Sequence, residues 1–305
     1  MKYDVIKKSV LSSDGKNTLA GTAYIPQGEM RGIFHLVHGM IEYIDRYEPL
    51  FNTLAGAGYL CVGYDNLGHG YTAKEGDLGF IASKDGWKHL VDDVKVFADS
   101  VKSDYPDLPY YLMGHSMGSF ITRIAVSKYP DLADKYICCG TGDRNPFAGI
   151  GLIICDIIKT FCGERKISPF LENMAFGTYN KRFDGNTKYE WLTKDREVIQ
   201  KYSSDKFCTF HFTVSAMHVL VKLNKVSNSK KCFLNTRNDL PILLVSGDMD
   251  PVGDYGKGVR QVYRNFKSAG NENITMFLYE NCRHEIHNDS CRDQMTDDIL
   301  KFIAK

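Results

Sequence analysis

Gly114-His115-Ser116-Met117-Gly118 constrains this 305-residue chain more than any other stretch. It follows a strand-like apolar run, Tyr110 to Met113, and opens directly into a helical pattern with Met117, Phe120, Ile121, Ile124 and Ala125 on one face. A strand, Gly-x-Ser-x-Gly and a helix in succession force the backbone to reverse within a few residues. That reversal leaves the serine in a strained conformation with its hydroxyl exposed. Glycines are expected on either side because a side chain there would collide with the neighbouring strand or helix. The helix start offers an unpaired N–H and a positive dipole end where an oxyanion would form. Such a pentapeptide arises by chance in roughly one chain in ten of this length, so its meaning depends on its surroundings.

Upstream, strands and helices alternate. Val5–Leu11 and Leu19–Ile25, separated by Ser13-Asp14-Gly15, predict a hairpin. Gly32–Val37 and Tyr59–Tyr64 read as short buried parallel strands, one ending in His38-Gly39-Met40 and the other running into Gly68-His69-Gly70. Helical patterns carry Tyr47, Leu50, Phe51 and Leu54, then Trp87 to Val101; Tyr136–Gly140 is the strand after the serine helix. This order predicts an α/β fold: a mostly parallel sheet with right-handed crossovers and helices on both faces. Ligands in such folds sit beyond the C-terminal strand ends. The alternation stops between about Asp143 and Asn228, where apolar helical stretches (Phe147–Phe161, Phe210–Leu223) are joined by polar connectors. It resumes at Leu240–Val245, continues through a helix with Val259, Val262 and Phe266 to a last strand, Ile274–Tyr279, and closes with a helix carrying Met295, Ile299 and Ile303. The expected division is therefore a core of residues 1–142 and 229–305 with a helical insertion of residues 143–228. Within this plan the Lys-rich stretch Lys222–Lys231 reads as a solvated connector.

Composition removes several function classes. A net charge of +1 leaves no electrostatic footprint for nucleic acid. Nine scattered cysteines, odd in number and without Cys-x-x-Cys, predict reduced and mostly buried thiols, hence a reducing, cytoplasmic compartment. The first residues lack the apolar core of a secretory signal. The longest apolar run, Phe147–Ile158, falls short of the roughly 20 residues a membrane-spanning helix needs.

A serine hydroxyl becomes a nucleophile when a base takes its proton and an acid orients that base. The chain order serine, acid, histidine fits this type of sheet. Asp248 and Asp250 both follow a late strand. Asp250 is preferred, because Pro251 and Val252 turn the chain away and leave its carboxylate near the top of the sheet, whereas Asp248 suits backbone bonding within the turn. His284 and His287 both follow the last strand; His284 lies in the loop, while His287 is placed to cap the closing helix. Two N–H donors are needed for the oxyanion. Met117 supplies one, and Met40, after His38-Gly39, the other. His69 and His115 read as packing beside the site, and His38-Gly39 as a strand-end turn. His284-Glu285-Ile286-His287 lacks the His-Glu-x-x-His spacing, so no zinc site is read, and no cofactor is implied.

Taken together, His38-Gly39-Met40, Asp65-x-x-Gly68-His69-Gly70, Gly114–Gly118, Ser246-Gly247-Asp248-Met249-Asp250-Pro251-Val252 and Tyr279…His284 resemble the monoacylglycerol lipase and lysophospholipase branch of the α/β-hydrolase superfamily. The likeness runs from about Val10 to the end. It implies an eight-stranded sheet, a triad of Ser116, Asp250 and His284, oxyanion donors at Met40 and Met117, and a cap formed by the insertion. The stretch Phe147–Cys155 is apolar around most of its circumference, so one face is left to line an acyl pocket or meet a lipid surface. The expected activity is hydrolysis of a small-molecule acyl ester through an acyl-enzyme. Acyl transfer or amide cleavage by the same triad is the alternative, and a non-catalytic binding protein a third reading.

Overall fold

The computed structural model describes residues 2–305. Eight strands, β1 (Tyr3–Leu11), β2 (Thr18–Pro26), β3 (Gly32–Val37), β4 (Tyr59–Tyr64), β5 (Tyr110–His115), β6 (Lys135–Cys139), β7 (Ile242–Gly247) and β8 (Ile274–Tyr279), form one sheet. Their order is β1-β2-β4-β3-β5-β6-β7-β8. The hairpin β1–β2 and the pair β2–β4 are antiparallel, and every pair from β4 through β3 to β8 is parallel. This is the mostly parallel eight-stranded sheet that the alternation predicts.

Side-chain alternation along the buried strands divides the core in two. β3 sends Ile33 and Val37 to one apolar cluster and Phe34 and Leu36 to the other. Two helices, α1 (Glu48–Gly56) and the C-terminal helix, cover the second face through Leu50, Phe51, Leu54, Met295 and Ile299. The first face is covered by α2 (Gly86–Lys102) and α3 (Met117–Lys128). Between β6 and β7 the chain adds no strand to the sheet. It forms α4 (Ala148–Cys162), α5 (Pro169–Phe176), α6 (Arg196–Ser204), α7 (Val214–Ser227) and α8 (Lys230–Asn235). After β7 come α9 (Lys257–Ser268) and, after β8, α10 (Arg292–Ala304). Val214, Met217 and Leu223 of α7 join the same apolar cluster as α2 and α3, so the insertion is seated on the body by a shared core.

Two expectations within the insertion are corrected. The helix anticipated over Phe210–Leu223 begins at Val214, because Thr213 is its N-cap: the Thr213 side chain accepts the Ala216 N–H, while the Thr213 N–H is taken by the Gly79 carbonyl. Lys222–Lys231 is not a solvated connector but the end of α7, a tight turn and the start of α8. Its turn is buried because Arg123, itself fully enclosed, donates to Asn228 Oδ1 at 2.9 Å.

All nine thiols are free, and Cys162 alone is exposed, in line with the thiol chemistry read from the sequence. Among the described residues no helix is long and apolar enough to cross a membrane.

Candidate active site

Ser116 sits between β5 and α3 with φ 54° and ψ −120°, a conformation that costs a non-glycine residue about 1–3 kcal/mol. The surroundings enforce it. A Cβ at Gly114 would strike Thr122 and the Gly118 carbonyl, and one at Gly118 would strike the carbonyls of Val37 and His38. The Ser116 N–H is bonded to the Cys139 carbonyl at 3.0 Å, which pins the turn to β6. The residue is half-buried, and the first N–H of α3 belongs to Met117.

The turn after β3 is held by a residue whose role the sequence left as a plain strand end. The Asn66 N–H donates to His38 Nε2 at 2.9 Å, so the His38 proton resides on Nδ1, which donates to the Gly39 carbonyl at 2.8 Å. In a trans peptide the Met40 N–H of the same unit then points the opposite way. Met40, Met117 and Ser116 wall one cavity. The Gly39 N–H is taken by Glu42 Oε1 at 2.5 Å, which leaves the Met40 N–H as this turn's donor. Burial lowers His38 to about 4, so the pinning imidazole is neutral.

His284 and Asp250 meet directly: Nδ1 lies 2.9 Å from Asp250 Oδ2, with both side chains buried. The Val252 N–H donates to Asp250 Oδ1 at 2.8 Å and the Ser246 hydroxyl to Oδ2 at 3.3 Å, so the carboxylate is bonded from three sides. Burial works against an imidazolium here. The Asp250 carboxylate, with its hydrogen bond, and the charges of Glu285 and Glu42 outweigh burial and raise His284 above its ordinary 6.5. The His284 ring packs on Gly140, next to the carbonyl that holds Ser116. Among the described residues the Ser116 hydroxyl makes no hydrogen bond to His284; the fold joins His284 to Asp250 and sets Ser116 in one cavity wall with Met40 and Met117. Catalytic contacts of this kind commonly tighten only around substrate.

The competing candidates fall elsewhere. Asp248 Oδ1 accepts the Asn281 N–H at 2.6 Å, so it bonds the backbone of the loop after β8 rather than that of its own turn. His287 does not cap α10, which starts from Cys291; it stacks on Tyr47 at 4.5 Å, and burial lowers it to about 3. His69 packs against His38, Phe210 and Phe212, and His115 bonds Tyr47 and Glu42 through Nδ1.

Sequence reasoning missed the charged group beneath these residues. Arg46 donates to Glu42 at 2.8 Å and, as a two-pronged fork, to Glu285 at 2.8 and 2.7 Å, all three being buried or nearly so. Glu42 holds the turn after β3 and Glu285 adjoins His284, so the fork ties the two loops together. The available signal was an acid and an arginine four residues apart straight after His38-Gly39-Met40. Glu42, His115 and His287 present ligand-type atoms within 4.8 Å of one another. Glu42 Oε1 and His115 Nδ1 are already bonded to each other and to Tyr47, a hydrogen-bonded support rather than an open donor set.

The cavity over Ser116 measures about 540 Å³ and carries Phe120, Phe176, Trp191 and Leu220 on its walls, with Arg144 and Lys257 at the same opening. A side chamber of about 240 Å³ shares Met40, Phe176 and Trp191 with it. On the outer side of the insertion, α4 buries Ala148, Gly151, Leu152 and Cys155, while Ile150, Ile153, Ile157 and Phe161 face solvent, Phe161 at 82% exposure. Phe170 and Met174 of α5 are also exposed.

A family model described as serine aminopeptidase, S33, matches residues 28–291. The monoglyceride lipase of Mus musculus is 25% identical over 275 residues, which cover 90% of this chain and 82% of that protein. A thermostable carboxyl esterase from Bacillus coagulans, solved with glycerol, superposes with a TM-score of 0.92 at 28% identity, over 98% of each chain. A soluble variant of monoglyceride lipase from Saccharomyces cerevisiae, solved with a substrate analogue, shares the fold at a TM-score of 0.76 and 18% identity, over 99% of this chain and 95% of that one.

Proposed function

Since the chain belongs to the serine aminopeptidase S33 family of α/β-hydrolases, we propose that it is a serine hydrolase cleaving esters of apolar acyl groups, of monoacylglycerol or lysophospholipid type. The observation that carries this reading is the buried 2.9 Å bond from His284 to Asp250, with a serine strained at the start of α3 in the wall of a cavity that also carries Phe120, Phe176, Trp191 and Leu220. Relatives named as lipases and esterases support ester hydrolysis as the class of reaction.

In this reading Ser116 Oγ attacks the ester carbonyl carbon while His284 Nε2 takes its proton. The oxyanion is received by the N–H groups of Met40 and Met117, which are aimed before substrate arrives. Asp250 holds the imidazolium, which then hands the proton to the departing alkoxide. Water, deprotonated by the same imidazole, releases the acyl group from Ser116. Residues 143–228 act as a cap that encloses the acyl chain, and the exposed apolar side chains of α4 and α5 meet a lipid surface where such substrates reside.

Hydrolysis of a p-nitrophenyl ester chain-length series by wild type and Ser116→Ala tests the mechanism; equal rates would end it. Amide cleavage is the second reading, favoured by the peptide chemistry in the family's description. An aminoacyl amide panel separates the two, because activity there above that on acyl esters would reverse the order.

A further inference from the structure

The insertion touches the imidazole loop through bonds that the mechanism above does not use. The His284 N–H donates to the Trp191 carbonyl at 3.3 Å and the Glu285 N–H to the Leu192 carbonyl at 2.6 Å. Beyond them, Thr193 Oγ1 donates to the Asn288 carbonyl at 2.7 Å. Arg283, the residue before the imidazole, sends Nη1 to the carbonyls of both Glu190 and Thr193, the latter at 3.0 Å. Residues 190–193 thus lie against residues 283–288, bonded through both backbone and side chains, and neither segment belongs to the sheet. Glu190, Leu192 and Thr193 are buried, while the bonds from Arg283 and to Asn288 are partly buried.

The same segment faces the cavity. The Trp191 ring lies 5.0 Å from the His284 ring at 37° and walls both chambers. The Trp191 backbone N–H donates to Asn180 Oδ1 at 3.0 Å and the ring packs edge-on against Tyr179, both within the insertion. On the body side, Asp250 grips Nδ1 and Arg46 grips Glu285. The loop carrying the base is therefore clamped between two separate parts of the molecule, and about 1 Å of misplacement is enough to cost roughly 100-fold in rate.

We propose that Thr193 and Arg283 are positioning residues for His284: they hold the imidazole loop against the insertion so that Nε2 reaches Ser116. The insertion then governs turnover as well as access. This rests on the triad reading above.

Four variants test it: Thr193→Val, which keeps the shape and removes the hydroxyl, Thr193→Ser, which keeps the hydroxyl, Arg283→Met and Arg283→Lys. Each is assayed with p-nitrophenyl butyrate across the imidazole titration range, for the rate at which a fluorophosphonate labels Ser116, and for its melting temperature. Thr193→Val and Arg283→Met should lose about ten-fold or more in kcat with KM within about two-fold, and slow labelling by the same factor. The acid limb should shift to lower pH in both, because a loosened Asp250 contact lets burial dominate His284. Thr193→Ser should restore wild-type turnover. Folded Thr193→Val and Arg283→Met with wild-type kcat and labelling would overturn the proposal, as would an equal loss in Thr193→Ser. If either of those two fails to fold, Arg283→Lys decides: its ammonium ends one bond short of the Nη1 that contacts both carbonyls, so an unchanged kcat there also overturns it. A wild type that fails to label at Ser116 would instead refute the triad reading.

Discussion

The strand ends of the sheet and the outer surface of the insertion are built on opposite terms. At the strand ends, polar and charged groups are buried, bonded and held in costly geometry: a serine at φ 54°, a carboxylate bonded from three sides, an arginine forked onto an enclosed glutamate. On α4 and α5, apolar side chains stand in water without a partner. The first arrangement is intolerant of change, because each group is positioned by several others and low local dielectric magnifies any loss. The second is tolerant of change, since a surface side chain that is more than half exposed costs little to replace. The proposed function puts the chemistry in the first region and the encounter with substrate in the second.

The widest gap between the regions should come from Ser116→Ala, which lowers ester hydrolysis by about 10⁴-fold or more while leaving thermal unfolding near that of wild type. Steady-state rates and a melting curve check both halves. Asp250→Asn should cost about 10³–10⁴-fold, since the amide no longer holds the productive tautomer. It should also move the pH profile. In wild type the base is neutral, and competent, only above a His284 pKa raised over 6.5, so the acid limb of kcat/KM lies above that pH. Without the carboxylate, burial dominates and the limb moves to lower pH.

Arg46→Met should show its main effect in stability. It strands Glu42 and Glu285 as buried charges, a loss of about 3–5 kcal/mol readable by denaturant unfolding at neutral pH. Burial alone would raise Glu285, yet Arg46 holds it at about 2. The pair's contribution is therefore complete above the ordinary 4.5 and is lost as pH falls toward 2, so acid should narrow the gap between variant and wild type. The smallest effect belongs to the insertion. Ile157→Ser with Phe161→Ser should weaken adsorption to phospholipid vesicles about ten-fold, with stability changed by no more than about 0.5 kcal/mol and hydrolysis of a dissolved short ester unchanged. Wild-type vesicle binding by that variant would remove the lipid-surface reading and erase the contrast drawn above.

The strand-end positions of Ser116, Asp250 and His284 were legible, because the apolar run before each one reads as a strand. The preference for Asp250 over Asp248 was likewise readable from Pro251-Val252, and the structure puts Asp250, not Asp248, on His284. His287 was misread because a residue near a helix start looks like a cap, and nothing local reveals the Tyr47 ring that it stacks on. The start of α7 was misplaced because Phe210 and Phe212 extend an apolar pattern into a segment whose backbone is bonded elsewhere. Arg46 and Glu285 stand 239 positions apart, and no periodicity links residues at that distance.

By itself, the order of residues determined what is local: where strands and helices alternate, where glycine is compulsory around Ser116, and which polar side chains fall at strand ends. Those follow from sterics and hydrogen bonding between near neighbours, which short spans of chain encode completely. Tertiary structure alone decided which histidine meets Asp250, that His38 aims the Met40 peptide, that Arg46 joins two loops, and that residues 190–193 lie against the imidazole loop. Each of these depends on the relative placement of segments far apart in the chain, which is set by packing of the whole core rather than by any one segment.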